Sequence, residues 1–221
     1  MAKTRADYIT EKVKESGDDS TGISFDLVDH STVARLKKDG DIKLPYKHLD
    51  KIKDKKWNTK QMSSKLLHGL LNGDSVADIS KSILKVVGNN ESAAIRNART
   101  MVTGAENRGR LDSYENLYAK GVVQKKVWIA TPDDRTRESH LKIDGEERDI
   151  DEEFSNELMY PGDPDGEMSE VYNCRCTMRD KIVGFIKNDG TIVRVGRERD
   201  DTIHDRQMRE EKERRREEDD G

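Results

Sequence analysis

The periodicity of the apolar residues changes once along the chain, at Gly121, and this change restricts the fold more than any other feature. Before Gly121 the apolar residues recur three or four positions apart, which is the spacing of a helix. After it they stand in short β-branched and aromatic runs such as Val127-Trp128-Ile129-Ala130, which are typical of strands. The sequence therefore predicts an α+β fold: a helical N-terminal half followed by a small mixed β region with a β-hairpin, and then a charged C-terminal tail.

Three helices are predicted between Trp57 and Gly121, after an N-terminal arm with one or two short helices. The first ends at Asn72-Gly73, and its apolar face consists of Met62, Leu66, Leu67, Leu70 and Leu71. The second begins after Asp74 or Ser75, either of which can cap the first turn, and ends at Gly88. Its apolar stripe is Val76, Ile79, Ile83, Leu84 and Val87. The third runs from Glu91 to about Lys120, and small residues on its stripe allow another helix to approach closely: Ala94, Ala98, Ala105 and Gly109.

The second half contains the predicted strands. They are Val122-Val123, residues 127–130, residues 174–179, and a hairpin from Ile182 to Val195 around Asn188-Asp189-Gly190. The whole chain is thereby divided into an N-terminal arm (1–50), a helical region (51–121), an α+β core (122–196) and a tail (197–221). The tail carries both charges in a mixed pattern, so it is predicted to be a solvated helix or disordered.

The composition excludes some classes of function. Charged residues make up 39% of the chain, but 41 basic residues nearly cancel 45 acidic ones, so no bulk field favours nucleic acid or an anionic membrane. The longest apolar runs are too short to span a bilayer, and the first residues lack the apolar stretch of a signal peptide. No membrane partner is expected, and the protein is expected in a cytosol, where thiols remain reduced.

Two cysteines and one histidine form the pattern that is most informative about chemistry. On a strand, Cys174 and Cys176 place both sulfurs on one side, which supplies half of a tetrahedral zinc site. His140 and a carboxylate, Asp133 or Asp144, can supply the rest. The sequence therefore predicts one structural zinc ion held by Cys174, Cys176, His140 and Asp133. The alternative is a pair of small buried side chains beside a surface histidine.

Two further patterns keep rival functions open. A zinc-dependent hydrolase or nuclease would use Glu138 or Asp134 as general base. A non-specific DNA-binding module would use the basic residues around Trp57, which are Lys51, Lys53, Lys55, Lys56 and Lys60. Arg135 and Arg137 either contact phosphate or form a network that fixes a loop. No motif for nucleotide-dependent or serine chemistry occurs, and no catalytic residue is predicted.

The order of these motifs resembles the Mu F-like phage head morphogenesis family. The resemblance begins near Trp57-Asn58 and covers more than half of the chain. Its segments include residues 69–75, 98–100, 105–110, 126–131 and 134–137, then His140, Asp144-Gly145, Phe154, residues 160–164 and residues 173–176. The region before the helices is shorter than is usual in the family, which weakens any portal-binding role of an N-terminal arm.

The resemblance implies a minor capsid protein that is not an enzyme. Such a protein associates with the phage portal and with other capsid or scaffold proteins, and assists head morphogenesis and DNA packaging or delivery. It resides in the virion, at the head or the portal vertex, after synthesis in the host bacterial cytoplasm. Non-specific contact with viral DNA is a further expected interaction. The zinc site is inferred from residue spacing, and the resemblance does not supply it.

Overall fold

The computed structural model describes residues 60–195 and 203–219, so the predicted N-terminal arm lies outside the described residues. Three helices come first: α1 (Lys60–Asn72), α2 (Val76–Ile83) and α3 (Glu91–Ala119). The elements that follow are β1 (Val122–Ile129), α4 (Glu138–Lys142), β2 (Glu147–Asp149), α5 (Met168–Val171), β3 (Thr177–Ile186), β4 (Ile192–Arg194) and α6 (Ile203–Asp219). The predicted α+β class, with helices first and a small sheet second, is confirmed.

The N-terminal caps fix where α2 and α3 begin. The Ser75 side chain accepts a hydrogen bond from the backbone N–H of Asp78, and the Asn90 side chain accepts one from the N–H of Ala93. Helix α2 ends at Ile83, earlier than predicted, and turns continue the chain to Gly88. Gly88 and Asn89 both adopt a positive φ, which reverses the chain into α3.

The three helices share one apolar core. Met62 and Leu66 of α1 and Ile79 and Ile83 of α2 pack against the small-residue face of α3. That face includes Ala94, Ala98, Met101 and Val102, as the helical period predicts.

The sheet is antiparallel and has the strand order β2-β1-β3-β4. Strand β1 is continuous across the polar residues that separated its two predicted parts, with an irregularity between Val123 and Gln124. Lys126 is tolerated inside the fold because its Nζ donates to the Met159 carbonyl oxygen at 2.8 Å. The short polar edge strand β2 was not predicted, since its sequence Glu-Arg-Asp has no apolar alternation.

The bounds of β3 differ from the prediction in two ways. It runs without interruption from Thr177 to Ile186, through the gap expected between a strand and a hairpin. It also begins after Cys174 and Cys176, which were predicted to lie on a strand. The positive φ of Asn173 and the turn bond from the Cys174 N–H to the Val171 carbonyl keep this segment out of the sheet.

Part of the charged tail forms helix α6, which packs on the sheet domain. Met208 is 2% exposed and lies in the same apolar cluster as Trp128 and the two cysteines. One face of this helix is therefore covered, although the others carry exposed charges. Among residues 60–195 and 203–219, no helix has the length and apolar character needed to cross a bilayer.

Helix α3 touches the loop before α5 backbone to backbone, at Gly104 and Gly162. A Cβ added to Gly104 would lie 2.6 Å from the Gly162 carbonyl oxygen, whereas a Cβ on Gly109 meets nothing within 4 Å. Gly109 was predicted to permit close packing on α3. In the structure the close approach to α3 is at Gly104 and not at Gly109.

We expect Gly104→Ala to lower the free energy of unfolding by about 1–3 kcal/mol, because neither backbone can move away from the new methyl group. Gly109→Ala is the matched control in the same helix. It should raise stability by roughly 0.5–1 kcal/mol, because alanine loses less backbone entropy on folding. Urea denaturation measures both, and equal effects of the two substitutions would contradict the close approach.

Candidate metal centre

His140 lies on α4, within the connection between β1 and β2. The carboxylate of Asp144 accepts a hydrogen bond from the Ala130 N–H at 2.8 Å, and the Gly145 N–H donates to the Trp128 carbonyl at 3.0 Å. These bonds tie both ends of the loop to the end of β1. The imidazole packs edge-on against the Trp128 ring, with 5.1 Å between the ring centroids, and His140 is 1% exposed.

A polar stripe on α3 positions the two cysteines. Thr103 Oγ1 donates to the Cys174 carbonyl at 3.0 Å, and Asn107 Nδ2 donates to the Cys176 carbonyl at 3.3 Å. Asn107 Nδ2 also reaches the Pro161 carbonyl at 3.0 Å, and its Oδ1 accepts from the Thr177 hydroxyl at 3.1 Å. The carbonyls of the cysteine segment are therefore satisfied by side chains of α3 in place of a neighbouring strand.

The two elements bring His140, Cys174 and Cys176 together. Nδ1 of His140 lies 3.8 Å from the sulfur of Cys174 and 3.4 Å from that of Cys176. The three candidate ligand atoms all lie within 4.8 Å of one another. Cys174 is 1% exposed and Cys176 4%, and neither forms a disulfide. Three of the four residues predicted as ligands therefore converge.

The donor set and its spacing fit three of the four corners of a tetrahedral zinc site. Bonds of about 2.3 Å to sulfur and about 2.0–2.1 Å to nitrogen place those two atoms about 3.6 Å apart at a tetrahedral angle. The observed separations of 3.4 and 3.8 Å lie on either side of that value. Two thiolates and an imidazole are also ligands that zinc favours.

The thiols differ in their affinity for protons. The pKa of Cys174 is raised, first by its hydrogen bond to Cys176 and then by burial. The pKa of Cys176 is lowered, because it accepts that hydrogen bond and because His140 lies beside it. A metal ion that binds both sulfurs must displace the protons that they hold, and the raised pKa of Cys174 opposes that displacement.

Glu170 of α5 contacts the other side of His140. Its Oε2 lies 2.9 Å from Nε2, although it is not aligned with the N–H direction as a linear hydrogen bond requires. Ser139 Oγ lies 3.1 and 3.0 Å from the two carboxylate oxygens and holds them in place. The contact is therefore a close electrostatic one between the carboxylate and the nitrogen that faces away from the thiols.

The carboxylates that sequence spacing favoured are engaged elsewhere. Asp133 forms a two-pronged ion pair with Arg175, one prong of which measures 2.6 Å, and this pair holds the pKa of Asp133 well below its usual range. Asp144 lies 3.1 Å from Nε2 of His204 on α6. The structure does not bring Asp133 or Asp144 to the thiols within the residues it describes.

Helix α6 covers this loop from outside. The Arg215 guanidinium donates to the carbonyl oxygens of Asp133 and Thr136, at 2.9 and 3.0 Å, and also contacts Glu138. Arg137 donates to the Tyr172 carbonyl, and Arg135 lies 3.6 Å from Asp133. Both arginines thus take part in the loop network, which was one of the two interpretations of their spacing.

The predicted basic patch has no structural test. Lys51, Lys53, Lys55 and Lys56 lie outside the described residues. Lys60 is the first residue of α1, and only its backbone is described.

Sequence reasoning missed Glu170 and the α3 stripe. Thr103 and Asn107 lie four residues apart, so they were detectable as a polar strip on a largely apolar helix. Nothing in the sequence indicated their partners, which lie about seventy positions away. Glu170 stands on the four-residue helix α5 in a segment with many acidic residues, and no local pattern distinguishes it.

Replacing Asp133 by asparagine should remove an ion pair that stabilises the folded chain near neutral pH and is lost in acid. Because the folded pKa of Asp133 is depressed, its contribution is complete above the unfolded pKa of about 3.9 and is lost as the pH falls below it. We expect Asp133→Asn to cost roughly 1 kcal/mol at pH 5–7, and the difference from the parent chain to shrink below about pH 4. Urea denaturation at several pH values measures this, with the exposed neighbour Asp134→Asn as control. Parallel stability curves for parent and Asp133→Asn would refute the expectation.

Comparison with known proteins identifies several relatives. An NAD(+)–arginine ADP-ribosyltransferase, EFV, of Enterococcus faecalis is 32% identical over 142 residues, covering 63% of this chain and 28% of that protein. The minor head protein GP7 of Bacillus phage SPP1 is 32% identical over 124 residues, covering 55% of this chain and 40% of GP7. An uncharacterized protein, YqbB, of Bacillus subtilis is 30% identical over 142 residues, covering 59% of this chain and 46% of YqbB.

The chain thus spans less than half the length of each of these relatives. No solved structure matches it. A model of the family described as Phage Mu protein F like protein matches residues 60–179, from the first residue of α1 to the first part of β3. This segment contains the α3 stripe, His140, Glu170 and both cysteines. Because the match covers more than half of the 221 residues, the chain belongs to the Phage Mu protein F like family.

Proposed function

We propose that the protein is a minor head protein of a bacteriophage and acts in head morphogenesis as a structural component. The observation that carries this proposal is the family match over residues 60–179, together with 32% identity to a minor head protein. Association with the portal, a place in the virion and a part in DNA packaging or delivery belong to the same proposal. Capsid components are the partners that it implies.

The burial of the reactive groups favours a structural role over catalysis. A thiolate 3.4 Å from an imidazole, whose other nitrogen contacts a carboxylate, resembles the arrangement that activates a nucleophilic cysteine. A substrate must reach the sulfur, however, and Cys176 and His140 are 4% and 1% exposed. Glu138, the candidate base of a hydrolase, contacts Arg215 and lies on the outer side of α4.

Similarity to an ADP-ribosyltransferase does not favour transferase chemistry here. The chain spans 28% of that protein, so most of its length has no counterpart in the aligned residues. The segments shared with the transferase and with GP7 together exceed the length of this chain, so they overlap. A segment common to a transferase and a head protein is better explained as a shared module than as the source of the transferase activity.

We further propose that the module carries one structural zinc ion, bound by Cys174, Cys176 and His140. The support is the match between the observed donor separations and those of a tetrahedral site, and the burial of all three residues. Zinc would supply a cross-link between the α4 loop and the cysteine segment. Because an ion that binds only the folded chain stabilises it, such a cross-link suits a chain with a small apolar core.

Metal analysis of the purified, reduced protein tests the zinc proposal. We expect one zinc per chain in the parent protein and in Asp133→Asn, whose carboxylate is paired with Arg175. We expect loss of the metal in Cys174→Ser, Cys176→Ser and His140→Ala, because each change removes one ligand. Elemental mass spectrometry after gel filtration gives the stoichiometry. A parent chain without stoichiometric zinc would remove the site.

Particle composition tests the head assignment. In particles assembled from a genome that encodes this chain, we expect the protein to sediment with mature heads and with their precursors, in a few copies each. A stop codon early in the gene should give defective heads, and the parent gene supplied separately should restore them. Absence of the polypeptide from both mature particles and precursors would overturn the assignment.

A further inference from the structure

The side of His140 that faces away from the thiols is occupied by a carboxylate. Glu170 Oε2 lies 2.9 Å from Nε2, the ring nitrogen that does not face Cys174 and Cys176, although the oxygen lies off the N–H direction. The ring itself is buried and is packed against Trp128. An imidazole has two nitrogens, and only the one without a proton can bind a metal ion. The tautomer of His140 therefore decides which nitrogen binds.

Ser139 restricts the position of this carboxylate. Its hydroxyl lies 3.1 Å from Oε1 and 3.0 Å from Oε2 of Glu170, and it precedes His140 in the same short helix. Ser139 therefore ties the Glu170 carboxylate to α4, the helix that carries the imidazole of His140. Glu170 is one of many acidic side chains in the region. The contact with Ser139 places its carboxylate beside His140.

We propose that Glu170 is a positioning residue of the metal centre, which holds His140 in the tautomer that keeps its proton on Nε2 and directs the Nδ1 lone pair at the metal. This proposal rests on the metal site described under Proposed function. A histidine that binds a metal through one nitrogen carries a proton on the other, and a carboxylate beside that second nitrogen favours this tautomer electrostatically and restricts the ring. Glu170 is not itself a ligand.

The test measures zinc affinity in the full chain by competition with a chromogenic chelator. Glu170→Ala removes the acceptor and should weaken zinc binding by about 10- to 100-fold. Glu170→Gln keeps a neutral acceptor at the same reach and should recover part of the loss. Glu138→Gln is the matched control, because it removes one negative charge from the helix that carries His140 and its parent side chain contacts Arg215. It should leave the affinity unchanged.

A second measurement separates positioning from general stability. Long-range proton–nitrogen NMR spectra of the zinc-loaded chain report which nitrogen of His140 is protonated and which binds the metal. We expect Nδ1 coordination with a slowly exchanging Nε2–H in the parent chain, and faster exchange of that proton with solvent in Glu170→Ala. Loss of thermal stability alone would not change which nitrogen of His140 binds the metal.

Two outcomes overturn the inference and are distinguishable. If the parent chain and all three variants bind zinc equally well, or if zinc binds through Nε2, the metal centre stands and the role of Glu170 is wrong. If the parent chain binds no zinc, the metal centre itself fails and the role of Glu170 fails with it. Neither result bears on whether the protein is found in phage heads.

Discussion

The backbone of the cysteine segment is held by side chains of α3, and the rest of the site depends on this arrangement. Asn107 alone contacts two separate stretches of chain, the loop at Pro161 and the end of the cysteine segment, where it meets the carbonyl of Cys176 and the hydroxyl of Thr177. A buried carbonyl without a partner costs on the order of 1–3 kcal/mol, so these bonds strongly disfavour other paths for the segment. The directions of both thiols follow from that path.

The centre lies where two parts of the fold meet, which are also joined by the packing of Leu111, Tyr114 and Leu117 of α3 on the sheet region. The helical core of α1, α2 and α3 and the cluster around Trp128 are separate apolar groups. They meet where the α3 stripe contacts the cysteine segment, and on the far side α6 adds Met208 and the Arg215 contacts. Charged residues outnumber apolar ones in this chain, so polar contacts complement a limited core.

The family match and the geometry identify the same region. Residues 60–179 contain the helices, β1, the His140 loop and the cysteines, whereas most of β3, β4 and α6 lie beyond the match. Helix α6 nevertheless lies directly on the loop that carries His140, through Arg215 and His204. The shared module and the charged C-terminal helix are thus physically connected at the candidate centre.

The sequence by itself determined the class of fold and indicated the three candidate ligands that the structure brings together. Apolar periodicity and capping residues such as Ser75 are local, so they predicted the helices before Gly121 and strands after it. The spacing of Cys174 and Cys176 singled out the thiols and suggested His140 with them. Only the tertiary structure decided that Asp133 pairs with Arg175, that Glu170 stands behind His140, and that the cysteine segment lies outside the sheet. Those outcomes depend on contacts between residues that are thirty to seventy positions apart, and in a chain so rich in charges local patterns do not determine which oppositely charged groups meet.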